Sequence, residues 1–218
     1  MNKVRRGSAT RRPPGPKADT GRAGIILAGG RSRRFPTVDK ALAPLDGQSL
    51  ISHVAESVAP AVDELIVNCR RDQREAFAEE LSEVSVRFAV DQIPDRGPLV
   101  GLRTALRETT ATYAAVVPCD MPLVPAAFLD FLFARARNRT GAVARFEGRL
   151  QPFPSAVHVR AATAACREAE ATGTDRIEQF VSFVDPHTVP ERVVLAHVDP
   201  EAFHNINTHD DLATVRDS

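Results

Sequence analysis

The 218-residue chain is 43% hydrophobic and 26% charged, the balance of a globular domain long enough to bury a core. Its 28 basic and 28 acidic residues cancel overall, but seven of the basic ones lie before residue 24 against one acid, Asp19, leaving 21 basic and 27 acidic residues and a net charge of −6 for the rest. An acidic body argues against nucleic acid as the main partner, and no apolar segment is long enough to span a membrane.

Residues 1–22 are polar and rich in Pro and Gly, so a disordered basic tail is expected ahead of one domain over 23–218. Arg5-Arg6 and Arg11-Arg12 run into Pro13-Pro14-Gly15-Pro16 rather than an apolar stretch, which speaks against a signal peptide. The stretch Gly24–Leu42, GIILAGGRSRRFPTVDKAL, follows. Its apolar run Ile25-Ile26-Leu27 breaks into Ala28-Gly29-Gly30, as a buried strand does on entering a loop. Glycines there can take positive φ and let a ligand approach the backbone. Gly-Gly alone suits an ordinary strand–turn equally well; Lys40, ten residues on, and Arg31, Arg33 and Arg34 favour a phosphate loop. The stretch matches neither the Walker pattern nor G-x-G-x-x-G.

Leu45-Asp46-Gly47-Gln48 predicts a turn, and Ser49 caps a helix with Leu50, Ile51, Val54 and Val58 on one face. His53 and His158 read as packing or surface residues, since no second histidine sits at ligand spacing. Glu64–Asn68 is a strand, Arg74–Leu81 a helix, and Val86–Val90 a strand leading to Asp91. After the loop Gln92–Gly97, Pro98 opens a helix through Leu102 and Leu106. Tyr113–Val117 is a buried strand ending in Pro118-Cys119-Asp120-Met121-Pro122, and Pro125 starts a helix carrying Phe128, Leu129, Leu132 and Phe133. Gly141–Arg145 is a strand, and Gln151–Val159, with Pro152 and Pro154, is an edge strand or extended segment. Helices at Ala161–Glu170 and Arg176–Phe183, a strand at Val193–Val198 and a helix at Asp210–Val215 complete the chain. Cys69, Cys119 and Cys166, odd in number and widely spaced, form neither a disulfide framework nor a zinc site, and the cytoplasm is the expected compartment.

The β-α alternation predicts a three-layer α/β/α fold with a mostly parallel, Rossmann-like sheet. In such sheets ligands bind at the carboxyl ends of strands, here Gly29-Gly30, Asn68, Asp91 and Asp120. Asn68 offers an amide to a base edge or forms a strand-end turn. Asp120, between two prolines, is a rigid carboxylate suited to Mg²⁺ or a helix cap.

LAGGRSRRFPTVDKAL resembles the signature L-A-G-G-x-S-x-R-M-G-x-x-D-K-A-L of molybdenum cofactor guanylyltransferases, nucleotidyltransferases of glycosyltransferase-A-like fold. The likeness extends through Asn68, Asp91, Gly97-Pro98-Leu99, Cys119-Asp120-Met121-Pro122, Gln151-Pro152 and Asn205-Ile206-Asn207. It implies transfer of GMP from GTP to the terminal phosphate of molybdopterin, with or without molybdenum, releasing pyrophosphate. By the same resemblance, Leu27, Ala28, Gly29, Gly30 and Lys40 hold phosphates and sugar. Asn68, Asp91, Gly97, Pro98 and Leu99 border guanosine. Asp120 carries Mg²⁺, Asn205 and Asn207 lie near the metal or pterin, and Lys40, Asp120 and Arg34 do the chemistry. Molybdopterin-insertion proteins and molybdoenzymes are the implied partners. Phe35-Pro36 replaces the family's Met-Gly; proline removes an N–H, so Arg31, Arg33 or Arg34 would substitute at the phosphate. Competing readings are a molybdopterin cytidylyltransferase, a phospholactate guanylyltransferase, or a non-catalytic GTP-binding protein that delivers cofactor.

Overall fold

In the computed structural model, which describes residues 21–30, 39–92, 97–208 and 211, the apolar run after the tail becomes the central strand. This strand, β1 (Arg22–Leu27), opens one residue before the boundary that composition suggests. It pairs in parallel with β4 (Glu64–Cys69) on one side and β6 (Tyr113–Pro118) on the other. Being covered on both faces, it reads as continuous apolar sequence rather than as an alternation. A small hairpin, β2 (Pro44–Leu45) and β3 (Gln48–Ser49), turns at Asp46-Gly47 with both φ angles positive, 50° and 86°. The expected turn is there.

The main sheet has seven strands in the order β5-β4-β1-β6-β8-β7-β9, where β5 is Val86–Val90, β7 Gly141–Phe146, β8 Arg149–His158 and β9 His187–Val189. β8 runs antiparallel to both of its neighbours, and β9 lies parallel to β7. From β1 the chain moves outward to β4 and β5, then returns across β1 to β6. The crossover reverses between β1 and β6, where open α/β sheets place their ligands.

Successive strand residues feed opposite layers. Ile26, Leu65, Val67, Ala115 and Val117 pack under α1 (Leu50–Val58), Phe77 of α2 (Arg74–Glu80) and α4 (Ala126–Ala136). Ile25, Ile66, Ala114 and Val116 pack under α3 (Pro98–Leu106), α5 (Val159–Ala171) and α6 (Ile177–Val184). Ile25 and Ile26 are both fully buried, each worth about 1.5–3 kcal/mol of apolar transfer. Capping follows the sequence signals. Ser49 Oγ accepts from Ser52 N–H, and Pro98 stands in the first turn of α3.

Three expectations need correction or qualification. Gln151–Val159 is not an edge: β8 lies between β6 and β7. Its prolines are tolerated because β6 pairs only with Ser155–His158. On the other side Val143 pairs with Ser155 but Ala144 with Gln151, so residues 152–154 form a bulge that makes no ladder demand on the missing N–H groups. Val193–Val198 is not a strand either. Glu191–Val194 is a short helix, α7, after Pro190, and Val194 and Val198 are buried at helical spacing while Leu195 is 44% exposed. The final helix at 210–215 falls, apart from the helical Asp211, outside the described residues.

Candidate active site

Three backbone hydrogen bonds stitch the four strand ends together. Asp91 N–H donates to Cys69 O (2.9 Å), Ala28 N–H to Asn68 O (3.0 Å) and Cys119 N–H to Leu27 O (3.0 Å). The ends picked out from the apolar runs thus form one continuous rim.

At the β1–β6 end of the rim, the Lys40 ammonium donates to Asp120 Oδ2 (2.7 Å) and to Asn207 Oδ1 (2.9 Å). Lys40 is 8% exposed, held at the head of a 3-10 turn (Lys40–Leu42) that Asp39 Oδ1 caps through Ala41 N–H. Asp120 Oδ1 is buried and has no hydrogen-bond partner among the described residues. A lone carboxylate oxygen kept from water without a donor is suited to a cation. Asn207 is fixed in turn: Asp211 Oδ2 accepts from Asn207 N–H (2.6 Å) and Thr208 N–H (2.8 Å), which also holds the Asp211 carboxyl below its ordinary range. Between the asparagines, Ile206 is buried against Ala43, Leu45 and Leu50 and donates its N–H to Asp120 O (2.9 Å). Asn205 stays exposed, and its carbonyl accepts from Asn207 Nδ2.

At the other end, Asn68 is 2% exposed and donates to Ala89 O (3.1 Å) and Asp91 Oδ1 (2.9 Å). Its Nδ2 donors are thus engaged within the protein, where they hold the Asp91 carboxylate. Two glycines make room for the amide. A Cβ on Gly101 would lie 2.2 Å from Asn68 Oδ1, and one on Gly29 2.9 Å from Asn68 Oδ1 and 2.7 Å from Asp91 Oδ2. Gly29 therefore serves close approach; neither it nor Gly30 uses the positive φ the sequence allowed. Gly97 does, at φ 83°, immediately before α3. Burial raises the pKa of Asp91, opposed by hydrogen bonds from Asn68 and Thr104 and by the Arg70 charge.

Sequence reasoning missed Arg70, Gln73 and Asp39. Arg70 Nη1 donates to Gly29 O (3.2 Å) and Gly30 O (2.8 Å), and Nη2 to Asp39 Oδ2 (3.1 Å). Gln73 Nε2 donates to Ala28 O (3.0 Å) and Asp39 Oδ2 (2.6 Å), while its Oε1 accepts from Arg70 N–H (2.7 Å). Both follow β4 directly, so the strand-end rule that found Asn68 reaches them if carried a few residues further. The peptides 28–29 and 29–30 are trans. Holding the Ala28 and Gly29 carbonyls therefore points the Gly29 and Gly30 N–H groups the opposite way. No described residue accepts from either N–H.

Arg34, with Arg31, Arg33 and Phe35-Pro36, lies outside the described residues. The three cysteines are free, and burial pushes the Cys69 and Cys166 thiols up to about 12 and Cys119 higher still, so none is an activated nucleophile. Among the described residues no group of three His, Cys, Asp or Glu gathers for a metal, and no helix is long and apolar enough to cross a membrane.

A sheet of this topology carrying, among the described residues, unbonded glycine amides, a fixed lysine and an unpartnered carboxylate oxygen at its switch point fits a nucleotidyltransferase of the α/β class. Residues 24–188 match the model of the MobA-like NTP transferase domain. A protein of Haloferax mediterranei named probable molybdenum cofactor guanylyltransferase is 53% identical over 194 residues, covering 89% of this chain and 92% of its own. The molybdenum cofactor guanylyltransferase of Burkholderia orbicola is 32% identical, over 88% of this chain and 94% of its own. Among solved structures, molybdopterin-guanine dinucleotide biosynthesis protein A of Archaeoglobus fulgidus superposes with a TM-score of 0.73 at 21% identity, over 89% of this chain and 97% of its own, a likeness of fold. The chain belongs to the MobA-like NTP transferase family. Such enzymes generally use a divalent metal, and the unpartnered Asp120 Oδ1 fits a metal ligand; a site with one protein carboxylate would leave the remaining positions to phosphates and water.

Proposed function

We propose that this chain transfers GMP from GTP to the terminal phosphate of molybdopterin, using Mg²⁺. The observation that carries the reading is that the Lys40–Asp120 pair and the Gly29 and Gly30 amides, which bond no acceptor among the described residues, stand at the neighbouring ends of β6 and β1. In the reaction an oxygen of the pterin phosphate attacks the α-phosphorus of GTP. A new P–O bond forms, the bond from the α-phosphorus to the bridging oxygen breaks, and pyrophosphate leaves with the electron pair. A phosphate monoester has its second pKa near ~6, so the attacking oxygen is already ionised and no base need be supplied. The work left to the protein is alignment and charge neutralisation. The Gly29 and Gly30 N–H groups and Lys40 bind and orient the triphosphate, while Asn207 and Asp120 keep Lys40 in register. Asp120 would hold Mg²⁺, which when bound neutralises charge developing on the leaving pyrophosphate. Arg34 would add a further donor to the phosphates, with Asn205 and Asn207 on the acceptor side. Leu27, Ala28 and Gly97-Pro98-Leu99 would line the nucleoside, and Asp91 would accept from the N–H groups of guanine. One catalytic domain over 23–218, a cytoplasmic setting in keeping with three free thiols, and hand-over to molybdoenzymes complete the reading.

Thermal shifts with GTP, CTP, ATP and UTP plus Mg²⁺ test the base choice. GTP is expected to stabilise most; stabilisation by CTP alone would overturn the assignment.

Asp91→Asn gives a second, signed result. Losing a charged acceptor is worth ~1.5–3 kcal/mol, so GTP affinity falls by about 10- to 100-fold in calorimetry. Because the fold raises the pKa of Asp91, its stabilising contribution is complete below the ordinary carboxylate range and lost as pH rises through the raised value. The variant is therefore expected to melt higher than wild type at pH 7, with the gap closing as the pH is lowered.

A further inference from the structure

We infer that Arg70, supported by Gln73, is the positioning residue that ties Gly29 and Gly30 to Asp39 beside Lys40 and so sets affinity for the polyphosphate chain. Resting on the nucleotide-binding reading above, the inference concerns two side chains that touch no reacting group.

The guanidinium spans both ends of the loop. Nη1 holds the carbonyls of Gly29 and Gly30, where the loop leaves β1, and Nη2 holds Asp39, where it returns at Lys40. Nε and Nη2 grip the carboxylate of Asp72 as well (3.2 and 3.3 Å). Its five bonds use the full set of guanidinium donors. Arg70 is 7% exposed and Gln73 4%, so neither is a solvated surface group making a casual contact. Gln73 doubles the bridge, from Ala28 O to the same Asp39 oxygen.

Two consequences bear on phosphate. Carbonyls of adjacent peptides repel an anion, and here Ala28, Gly29 and Gly30 all have theirs drawn toward cationic or amide donors, which turns the Gly29 and Gly30 N–H groups outward. Asp39 both receives the staple and caps the turn that begins with Lys40, so one guanidinium fixes the amides and the ammonium relative to each other. A planar fork is required for that span; a lysine ammonium is a single point donor on a flexible stem.

The test compares nucleotide with nucleoside. Binding of GTP, guanosine and inorganic tripolyphosphate is measured by calorimetry on wild type, Arg70→Met, Arg70→Lys and Gln73→Leu, with melting temperatures alongside. Expected is a loss of about 10- to 100-fold for GTP and tripolyphosphate in both Arg70 variants, a smaller loss in Gln73→Leu, and guanosine affinity within about twofold of wild type. Equal loss of guanosine and GTP in the folded variants would reduce Arg70 to general scaffolding and overturn the inference, as would full rescue by lysine or unchanged GTP binding. If Arg70→Met does not fold, Gln73→Leu decides by the same ratio. Should wild type prefer another nucleoside triphosphate, the guanine reading fails, and the staple is judged by the same comparison on that nucleotide and its nucleoside. A wild type that binds neither nucleotide nor tripolyphosphate overturns both.

Discussion

Lys40→Met is expected to slow pyrophosphate release by about 10²- to 10³-fold, the loss typical of removing one preorganised donor from developing charge. Methionine keeps much of the buried aliphatic stem but removes the ammonium that bonds Asp120 and Asn207. The variant also leaves Asp120 without its counter-ion. Breaking a fully buried pair costs ~3–5 kcal/mol; with the Asp120 side chain 23% exposed, water screens part of that and the loss falls below this range. A second substitution separates the two effects. Lys40→Met with Asp120→Asn removes the uncompensated charge, so the melting temperature recovers toward wild type while activity stays lost. Recovery of both together would mean that the pair serves folding alone.

Gly101→Ala is the other large effect, and it arises away from the phosphates. The added methyl would stand 2.2 Å from Asn68 Oδ1 and 2.9 Å from Asn68 Cγ, and the amide has no slack because Ala89 O and Asp91 Oδ1 both hold it. Overpacking costs ~1–3 kcal/mol and the torn hydrogen bonds a comparable amount. Melting is thus expected to drop by about 5–15 °C in a chain of this size, with weaker nucleotide binding because Asp91 loses its guide. Combining Gly101→Ala with Asn68→Ala removes the collision, so the double variant should lose less stability than the two single changes summed. Strict additivity would show that the two residues do not compete for space.

The residues that made the sheet legible also located the site. Apolar runs such as Ile25–Leu27 and Tyr113–Val117 carry an unambiguous signal because both faces of a parallel sheet are buried. The polar residues closing them, Asn68, Asp91 and Asp120, stand out against that background. For β8 the sequence misleads: Pro152 and Pro154 point to an edge strand or extended segment, whereas a bulge at 152–154 lets the strand lie inside the sheet. Val193–Val198 misled because a short run of apolar residues does not by itself separate strand from helix. Arg70, Gln73 and Asp39 were invisible for a different reason. Arg70 and Gln73 donate to the Ala28, Gly29 and Gly30 carbonyls and to the Asp39 carboxylate, all more than 30 positions away in the chain, and such tertiary pairing leaves no mark on local periodicity. The placement of the Asn68 amide likewise depends on two glycines from separate elements, Gly29 and Gly101.

The most direct test of guanylyl transfer is to incubate the protein with Mg²⁺, GTP and molybdopterin, and to follow pyrophosphate together with the mass of the pterin product. Pyrophosphate is expected in step with a guanine dinucleotide, dependent on both substrates and lost in Lys40→Met. GTP that binds but releases no pyrophosphate with a competent acceptor, or turnover with CTP in its place, would contradict guanylyl transfer.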